Sequence, residues 1–299
     1  MQRDYLKLHF IIILWGFTAV LGELIDLPPV ELVAWRTGIA AVTLALIVRA
    51  EVLIPRRDAI IFVATGTIIG IHWILFFLSV KVANVSICMV GMATISLWTA
   101  LLEPLMIRSR KLRSLDLIFG AIIIGAVYWI FRSELQYSTG FLIAIASAIA
   151  ATVFSIINGT FASRFHHRTI AFYEMIGACL LCVACLPLSG FLSEQEPSSG
   201  FGLDDLAYLL ILAIVCTVYS FSEYVELLKR LSVFTVNFVN NLEPVYGILL
   251  GAIILKDYKH LSGGFYSGAA IILAAVIAYP MINRRLRRRR AQREAQSAR

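Results

Sequence analysis

Charged residues are scarce in this chain. They make up 15% of its 299 residues, whereas 60% are hydrophobic and the mean hydropathy is +0.84. A soluble domain carries about 25% charged and roughly 45–50% apolar residues, so this composition excludes an ordinary soluble fold. The apolar runs are about 20 residues long and lack the alternating polarity of barrel strands. They predict an all-α integral membrane protein.

Cysteines are few and lack any supporting pattern. All five fall within apolar runs, without the histidine or acidic cluster that a metal site would need: Cys88, Cys179, Cys182, Cys185 and Cys216. We therefore expect packed thiols rather than a disulfide framework or a metal site. Catalytic motifs and phosphate-binding loops do not stand out either, so we expect neither an enzyme nor a bound cofactor.

The net charge of +7 comes largely from six arginines between positions 284 and 290. They directly follow an apolar run, which indicates an anchor against anionic lipid head groups rather than a nucleic-acid site. We expect the lipid bilayer to be a partner of the chain, and nucleic acid not to be one.

Ten apolar runs predict ten transmembrane helices. Bounded by charge, proline or glycine, they lie at about 7–25, 30–49, 58–80, 84–107, 115–131, 138–160, 169–190, 204–226, 231–255 and 263–282. If the amino terminus is inside, most Lys and Arg residues collect inside, and the outer loops keep only Lys81, Arg132, Lys256 and Lys259. The positive-inside rule then predicts that both termini are cytoplasmic.

Five runs in each half make the halves two inverted repeats. We place the repeats at 1–135 and 136–283, followed by a basic cytoplasmic tail at 284–299. Arg36 in the second run matches Glu174 in the seventh. A charge in hydrocarbon costs roughly 2.5–3.5 kcal/mol, so both are expected to face a watery cavity between the repeats, as in transporters. Regular helices would separate the two in depth by roughly 14 Å.

The ninth run carries the most polar helix face. Asn237, Asn240, Asn241 and Pro244 follow the spacing i, i+3, i+4, i+7 and therefore share one side, with Glu243 nearby. Such a face can hydrogen-bond a polar substrate, or it can hold helices together. Glu243 has three open roles: it could bind a substrate ammonium, exchange a proton or act as a neutral structural acid.

The other cavity candidates are polar or aromatic residues within the runs. They are Trp15, His72, Trp73, Trp98, Glu103, Tyr219, Glu223 and Tyr246. The aromatic rings could stack on a substrate, or they could simply pack against neighbouring helices. A buried histidine could contact substrate, relay protons or join two helices. For Arg36 and Glu174 the alternative is an anchor that reaches toward the head groups.

Several motifs resemble one transporter family. They are the Trp35-Arg36 pair, the stretch Asn84-Val85-Ser86, the run from Asn241 to Gly247 and the glycine-rich start of the last helix. With them the whole chain resembles the EamA-type members of the drug/metabolite transporter superfamily, which have ten spans in two repeats. Characterised relatives largely move small metabolites, and several bacterial ones export amino acids.

The resemblance implies a function. It implies a carrier of the bacterial inner membrane that exports amino acids or related small metabolites by alternating access, with protons as a candidate coupling ion. Three alternatives stay open: a carrier for another metabolite or a cationic drug, a channel, and a membrane scaffold that transports nothing.

Overall fold

The structure is a computed structural model that describes residues 2–49, 53–107, 114–188, 202–240, 242–256, 259 and 261–297. Within these ranges the chain is all-helical and contains no strand. The helices are α1 (Gln2–Leu24), α2 (Pro29–Val48), α3 (Arg56–Val82), α4 (Val85–Met92), α5 (Ile95–Met106), α6 (Ser114–Ser133), α7 (Ser138–Phe161), α8 (His167–Cys185), α9 (Leu203–Leu227), α10 (Val233–Asn240), α11 (Glu243–Leu255) and α12 (Gly263–Ser297).

Local sequence explains where several of these helices begin. Prolines precede or open α2 and α3, where a missing N–H costs nothing because the first turn has no helical acceptor for it. The side chain of Asn84 caps α4 by accepting a hydrogen bond from the Ile87 amide at 2.8 Å. At α9 the cap runs in the reverse sense, because Asp205 of the first turn accepts from the amide of the preceding Gly202 at 2.9 Å.

Seven helical segments in the described ranges are long and apolar enough to cross a membrane, namely Arg3–Leu24, Pro29–Val48, Arg56–Val82, Val85–Met106, Leu135–Phe161, His167–Cys185 and Leu203–Leu227. Three shorter apolar helices accompany them: Ile118–Ser133, Glu243–Leu255 and Gly263–Tyr279. The membrane fold predicted from sequence is therefore confirmed in its helical class, while seven of the ten expected crossings reach full length.

Two of the predicted runs are broken in the middle. The fourth divides between α4 and α5, where the Thr94 amide bonds to the Gly91 carbonyl at 3.2 Å in a tighter, non-α turn. The ninth divides between α10 and α11, where the Leu242 amide bonds to the Val239 carbonyl at 3.0 Å. Pro244, which lies just beyond this turn, cannot donate a backbone hydrogen bond. Interrupted membrane helices are tolerated where the free backbone lines a cavity.

The two halves interlock instead of lying side by side. Helix α1 of the first half packs on α11 of the second, and α7 of the second packs on α4 and α5 of the first. The second helices of the halves, α2 and α8, contact each other, and so do their last helices, α6 and α12. Each contact thus has a counterpart with the halves exchanged, which is the packing expected of two related repeats.

Helices α3 and α8 cross with their backbones in close contact. A Cβ atom on Gly66 would overlap the carbonyl of Glu174, and one on Gly177 would overlap the carbonyl of Val63. The two backbones therefore touch where each helix offers a glycine, which is the small-residue packing typical of membrane helices. This contact fixes the position of the Glu174 backbone within the bundle.

Candidate functional site

A buried cavity lies at the centre of the bundle, where α1, α2, α3 and α7 meet the broken helices and α9. It leaves about 50 Å³ for the centres of water molecules, which is room for several of them, since one needs roughly 10–15 Å³. Its lining residues are Trp15, Thr18, Arg36, His72, Trp73, Phe76, Met92, Ile95, Ala151, Phe154, Ser155, Phe221, Tyr224, Asn237, Asn240 and Glu243.

Arg36 is the cation of this cavity and is 1% exposed. Its Nε donates a hydrogen bond to Thr217 Oγ1 at 2.6 Å, and its guanidinium carbon lies 3.9 Å from the centre of the Trp73 ring. A desolvated cation–π contact of this kind contributes about 2 kcal/mol. Nη1 is buried without a hydrogen-bond partner in the part of the chain that the structure describes. The side chain is thus held at one edge while another donor stays available.

Glu243 is the matching acid, and it stands where α11 begins. Its side chain is 6% exposed, and it lies within electrostatic range of Arg36 and beside Asn240. Asn240 ends α10, so the break in the ninth run presents an amide and a carboxyl to the same space. Asn240 Oδ1 is buried and accepts no hydrogen bond from the described residues. The cavity therefore offers a guanidinium group, a carboxyl group and a free acceptor.

Hydrogen bonds tie four helices together along one wall. Tyr224 Oη of α9 and Ser155 Oγ of α7 lie 2.5 Å apart, and Ser155 Oγ donates to Asn237 Oδ1 of α10 at 3.2 Å. Asn237 Nδ2 in turn donates to Thr99 Oγ1 of α5 at 3.0 Å. A buried chain in which each polar group has a partner holds its members in place. The wall is therefore held in one defined arrangement.

His72 and the aromatic rings form the other walls. His72 Nδ1 lies 2.7 Å from Ser147 Oγ, and that hydroxyl donates to the His72 carbonyl at 2.8 Å, so the histidine both joins α3 to α7 and faces the cavity. The ring centres of Trp15 and Tyr224 are 5.3 Å apart, and those of Trp73 and Phe221 are 6.1 Å apart. Such rings offer apolar area together with faces that attract cations.

A model of the EamA-like transporter family matches this chain twice, over residues 5–132 and 138–279. The chain belongs to this family. It is therefore a multi-pass membrane transporter of the drug/metabolite transporter superfamily, whose EamA members are transporters rather than enzymes.

The fold of the transporter also matches that of a solved structure described only as "Crystal structure of protein". That match has a TM-score of 0.70 and 18% sequence identity, and it covers 95% of this chain and 99% of the other. At this identity the likeness speaks for the fold alone. No curated protein matches the sequence.

The transporter brings six of the residues predicted from sequence to the cavity. They are Trp15, Arg36, His72, Trp73, Asn237 and Glu243. Asn241 lies outside the described residues. Among the others, Trp98 donates to Thr94 Oγ1 at 3.1 Å, and Tyr246 packs on Gly16 of α1. Neither of these two rings lines the cavity.

The four remaining predicted residues lie apart from the cavity. Glu103 is buried in α5, nine residues beyond the helix break, whereas Glu243 directly follows the other break. Glu174 is fully buried at the α3–α8 crossing. Tyr219 is 40% exposed and meets the ring of Phe10, and Glu223 pairs with Lys7.

A π-helical stretch explains why α9 presents other residues than expected. Regular α-helical spacing puts Tyr219 and Glu223 on one stripe, but Ile211–Tyr219 is π-helical, with its side-chain bonds reaching back five residues. The wider turn rotates the remainder of the helix, so Phe221 and Tyr224 face the cavity instead. The sequence carries no simple signal for this change.

Contacts at the two ends of the bundle differ in kind. The beginnings of α1 and α3 meet the ends of α9 and α7 through ion pairs, with Arg230 on Asp4 at 3.3 Å and Arg164 on Asp58 at 3.7 Å. At the other end, Lys81 donates to the Ile25 carbonyl at 3.1 Å, and Asp205 accepts from the Asp26 amide at 3.0 Å. Both ends of the cavity are thus bridged between helices.

Proposed function

We propose that this transporter exports amino acids or closely related small metabolites across the bacterial inner membrane. The observation that carries the proposal is that Arg36 and Glu243 share one buried cavity. An amino acid carries a carboxylate and an ammonium on one carbon. The free Nη1 of Arg36 is a donor for the carboxylate, and Glu243 with Asn240 Oδ1 supplies acceptors for the ammonium.

The remaining lining favours a substrate with an apolar or aromatic side chain. Trp15, Trp73, Phe154 and Phe221 surround the charged pair, and Tyr224 adds a hydroxyl that is already engaged with Ser155. A ring buried among them gains roughly 0.5–1.5 kcal/mol per aromatic contact beyond its area. The small free volume favours a single small metabolite over a bulky drug.

Transport proceeds by alternating access between two inverted repeats, 1–135 and 136–283, with ten crossings and cytoplasmic termini. Supporting this arrangement, the ion pair between Asp4 and Arg230 brings the start of α1 beside the end of α9. An excess of Lys and Arg on that side favours the cytoplasm. In this scheme the bridges at the two ends open in turn while the cavity residues stay on the substrate.

Counterflow with purified protein in liposomes tests the proposal. Vesicles loaded with an unlabelled amino acid should transiently accumulate the labelled one, and the signal should saturate. A matched panel of amino acids, their amides and organic cations identifies the class. Exchange of cations alone would favour a drug carrier, unsaturable flux would favour a channel, and no flux across the panel would favour a scaffold.

A further inference from the structure

Glu174 and Asn158 form a second buried polar site, separate from the cavity lining. Both side chains are 0% exposed, and Asn158 lies beside the Glu174 carboxyl. Among the described residues, neither oxygen of Glu174 and neither polar atom of the Asn158 amide has a partner in standard hydrogen-bond geometry. Buried polar groups in folded proteins are nearly always well paired, so a buried carboxyl and amide that lie side by side without a well-formed hydrogen bond call for an explanation.

The surroundings of Glu174 favour the neutral acid in this conformation. Its backbone is pressed against Gly66 of α3, and Tyr224 of α9 lies within electrostatic range of its carboxyl. Five other ionisable groups on the helices packed around it have contacts of their own: Arg36 with Thr217, Asp58 with Arg164, His72 with Ser147, His167 with Glu226 and Glu223 with Lys7. A carboxylate without a cation is far costlier to bury than a carboxylic acid.

Tyr224 connects this site to the cavity. Its ring lines the cavity beside Trp15, while its hydroxyl belongs to the chain that runs through Ser155 to Asn237. A change in charge at Glu174 therefore acts on a residue that also contacts the cavity. The two sites share a wall, and this wall is the physical route by which occupancy of one can alter the other.

We propose that Glu174, supported by Asn158, is the proton-binding site that couples export to a proton gradient. This inference rests on the proposed function. The O–H bond of Glu174 breaks when the α3–α8 region opens to water on one side of the membrane, and the proton passes to that water. The carboxylate takes a proton again from the other side, so each cycle moves one proton inward and no other bond changes.

The chemistry of the site favours a proton over a metal cation. Hard cations bind six or more oxygen ligands, or retain several waters. Glu174 and Asn158 offer one carboxyl and one amide, and the described residues hold no cluster of three or more metal-ligating side chains. A proton needs a single carboxyl oxygen and no cavity.

The test compares gradient-driven transport with counterflow in liposomes. In the wild type, an imposed gradient of about one pH unit should raise accumulation of labelled amino acid by up to about tenfold, because each cycle uses one proton and one pH unit is a tenfold ratio of proton activity. Glu174→Gln has the shape of the neutral acid, so it should fold, retain counterflow and lose the response to the gradient. Glu134→Gln changes another buried glutamate, which accepts from the Ser262 amide at 2.7 Å, and should keep the response.

A chemical label tests the site without any substrate. Dicyclohexylcarbodiimide is apolar and reacts with protonated carboxylic acids, so it should modify Glu174 in mildly acidic but not in alkaline buffer, as read by peptide mass spectrometry. Labelling that depends on pH supports the proton site even if no amino acid is exchanged, in which case only the proposed function fails. Gradient-driven transport that survives in Glu174→Gln overturns the inference. Counterflow that responds to sodium but never to pH also overturns it and leaves the proposed function intact.

Discussion

Replacing Arg36 by glutamine should remove the preference of the transporter for a free carboxylate. The guanidinium offers Nη1 to the cavity without a protein partner among the described residues, so a substrate carboxylate gains a charge-assisted hydrogen bond there. Such a bond contributes about 1.5–3 kcal/mol, which corresponds to about a 10- to 150-fold change in Kd. The variant leaves Thr217 satisfied, because its hydroxyl also donates to the Leu212 carbonyl at 2.8 Å.

The assay is a double-mutant cycle in which one change is made in the protein and the other in the ligand. Titration of the tryptophan fluorescence, to which Trp15 and Trp73 of the cavity contribute, gives Kd values for an amino acid and for its amide in the wild type and in Arg36→Gln. The wild type should prefer the acid by the stated factor, and the variant should bind both alike. Arg132→Gln, at a position outside the cavity lining, controls for the loss of one positive charge. An unchanged ratio of the two Kd values in Arg36→Gln would refute the reasoning.

Three other substitutions test the cavity and the α3–α8 crossing. Glu243→Gln should weaken binding of the amino acid by about tenfold, in line with the loss of one charge-assisted hydrogen bond. It should have little effect on the binding of an analogue without the amino group. Equal losses of affinity for both ligands would contradict this prediction. Tyr224→Phe should lower the counterflow rate, whereas Tyr219→Phe should not. A loss of counterflow in Tyr219→Phe alone would show that the π-helical stretch of α9 does not decide which side chains face the cavity. Gly177→Ala should destabilise the fold by about 1–3 kcal/mol through overpacking against α3, measured as a lower Tm, while Gly125→Ala, where a Cβ meets nothing within 4 Å, should not.

The helical class and part of the cavity could be predicted from the sequence because both depend on local patterns. Apolar runs give helices, and an arginine within such a run must turn inward, as Arg36 does. The amide spacing on the ninth run likewise placed Asn237 and Asn240 on one face, and both line the cavity. Hydrophobicity and regular helical geometry are sufficient for these conclusions.

Other parts of the site depend on departures from regular geometry. The π-helical turns of α9 direct Phe221 and Tyr224 into the cavity, while Glu223 forms an ion pair with Lys7. The regular α-helical repeat of about 3.6 residues does not predict this orientation. The position of Glu174 depends on a backbone contact with Gly66 that only the packed pair of helices creates. Helix breaks also matter, since Glu103 and Glu243 both precede a proline but only Glu243 adjoins a break.

The uneven distribution of charge between the two ends makes this conformation sensitive to the salt concentration. Separating Asp4 from Arg230 exposes full charges whose attraction dissolved ions screen within about 8 Å at physiological strength. Parting Asp205 from the Asp26 amide exchanges one hydrogen bond for another with water and depends little on ions. A rise in salt concentration would thus loosen the end that the ion pair holds and leave the other end almost unaffected.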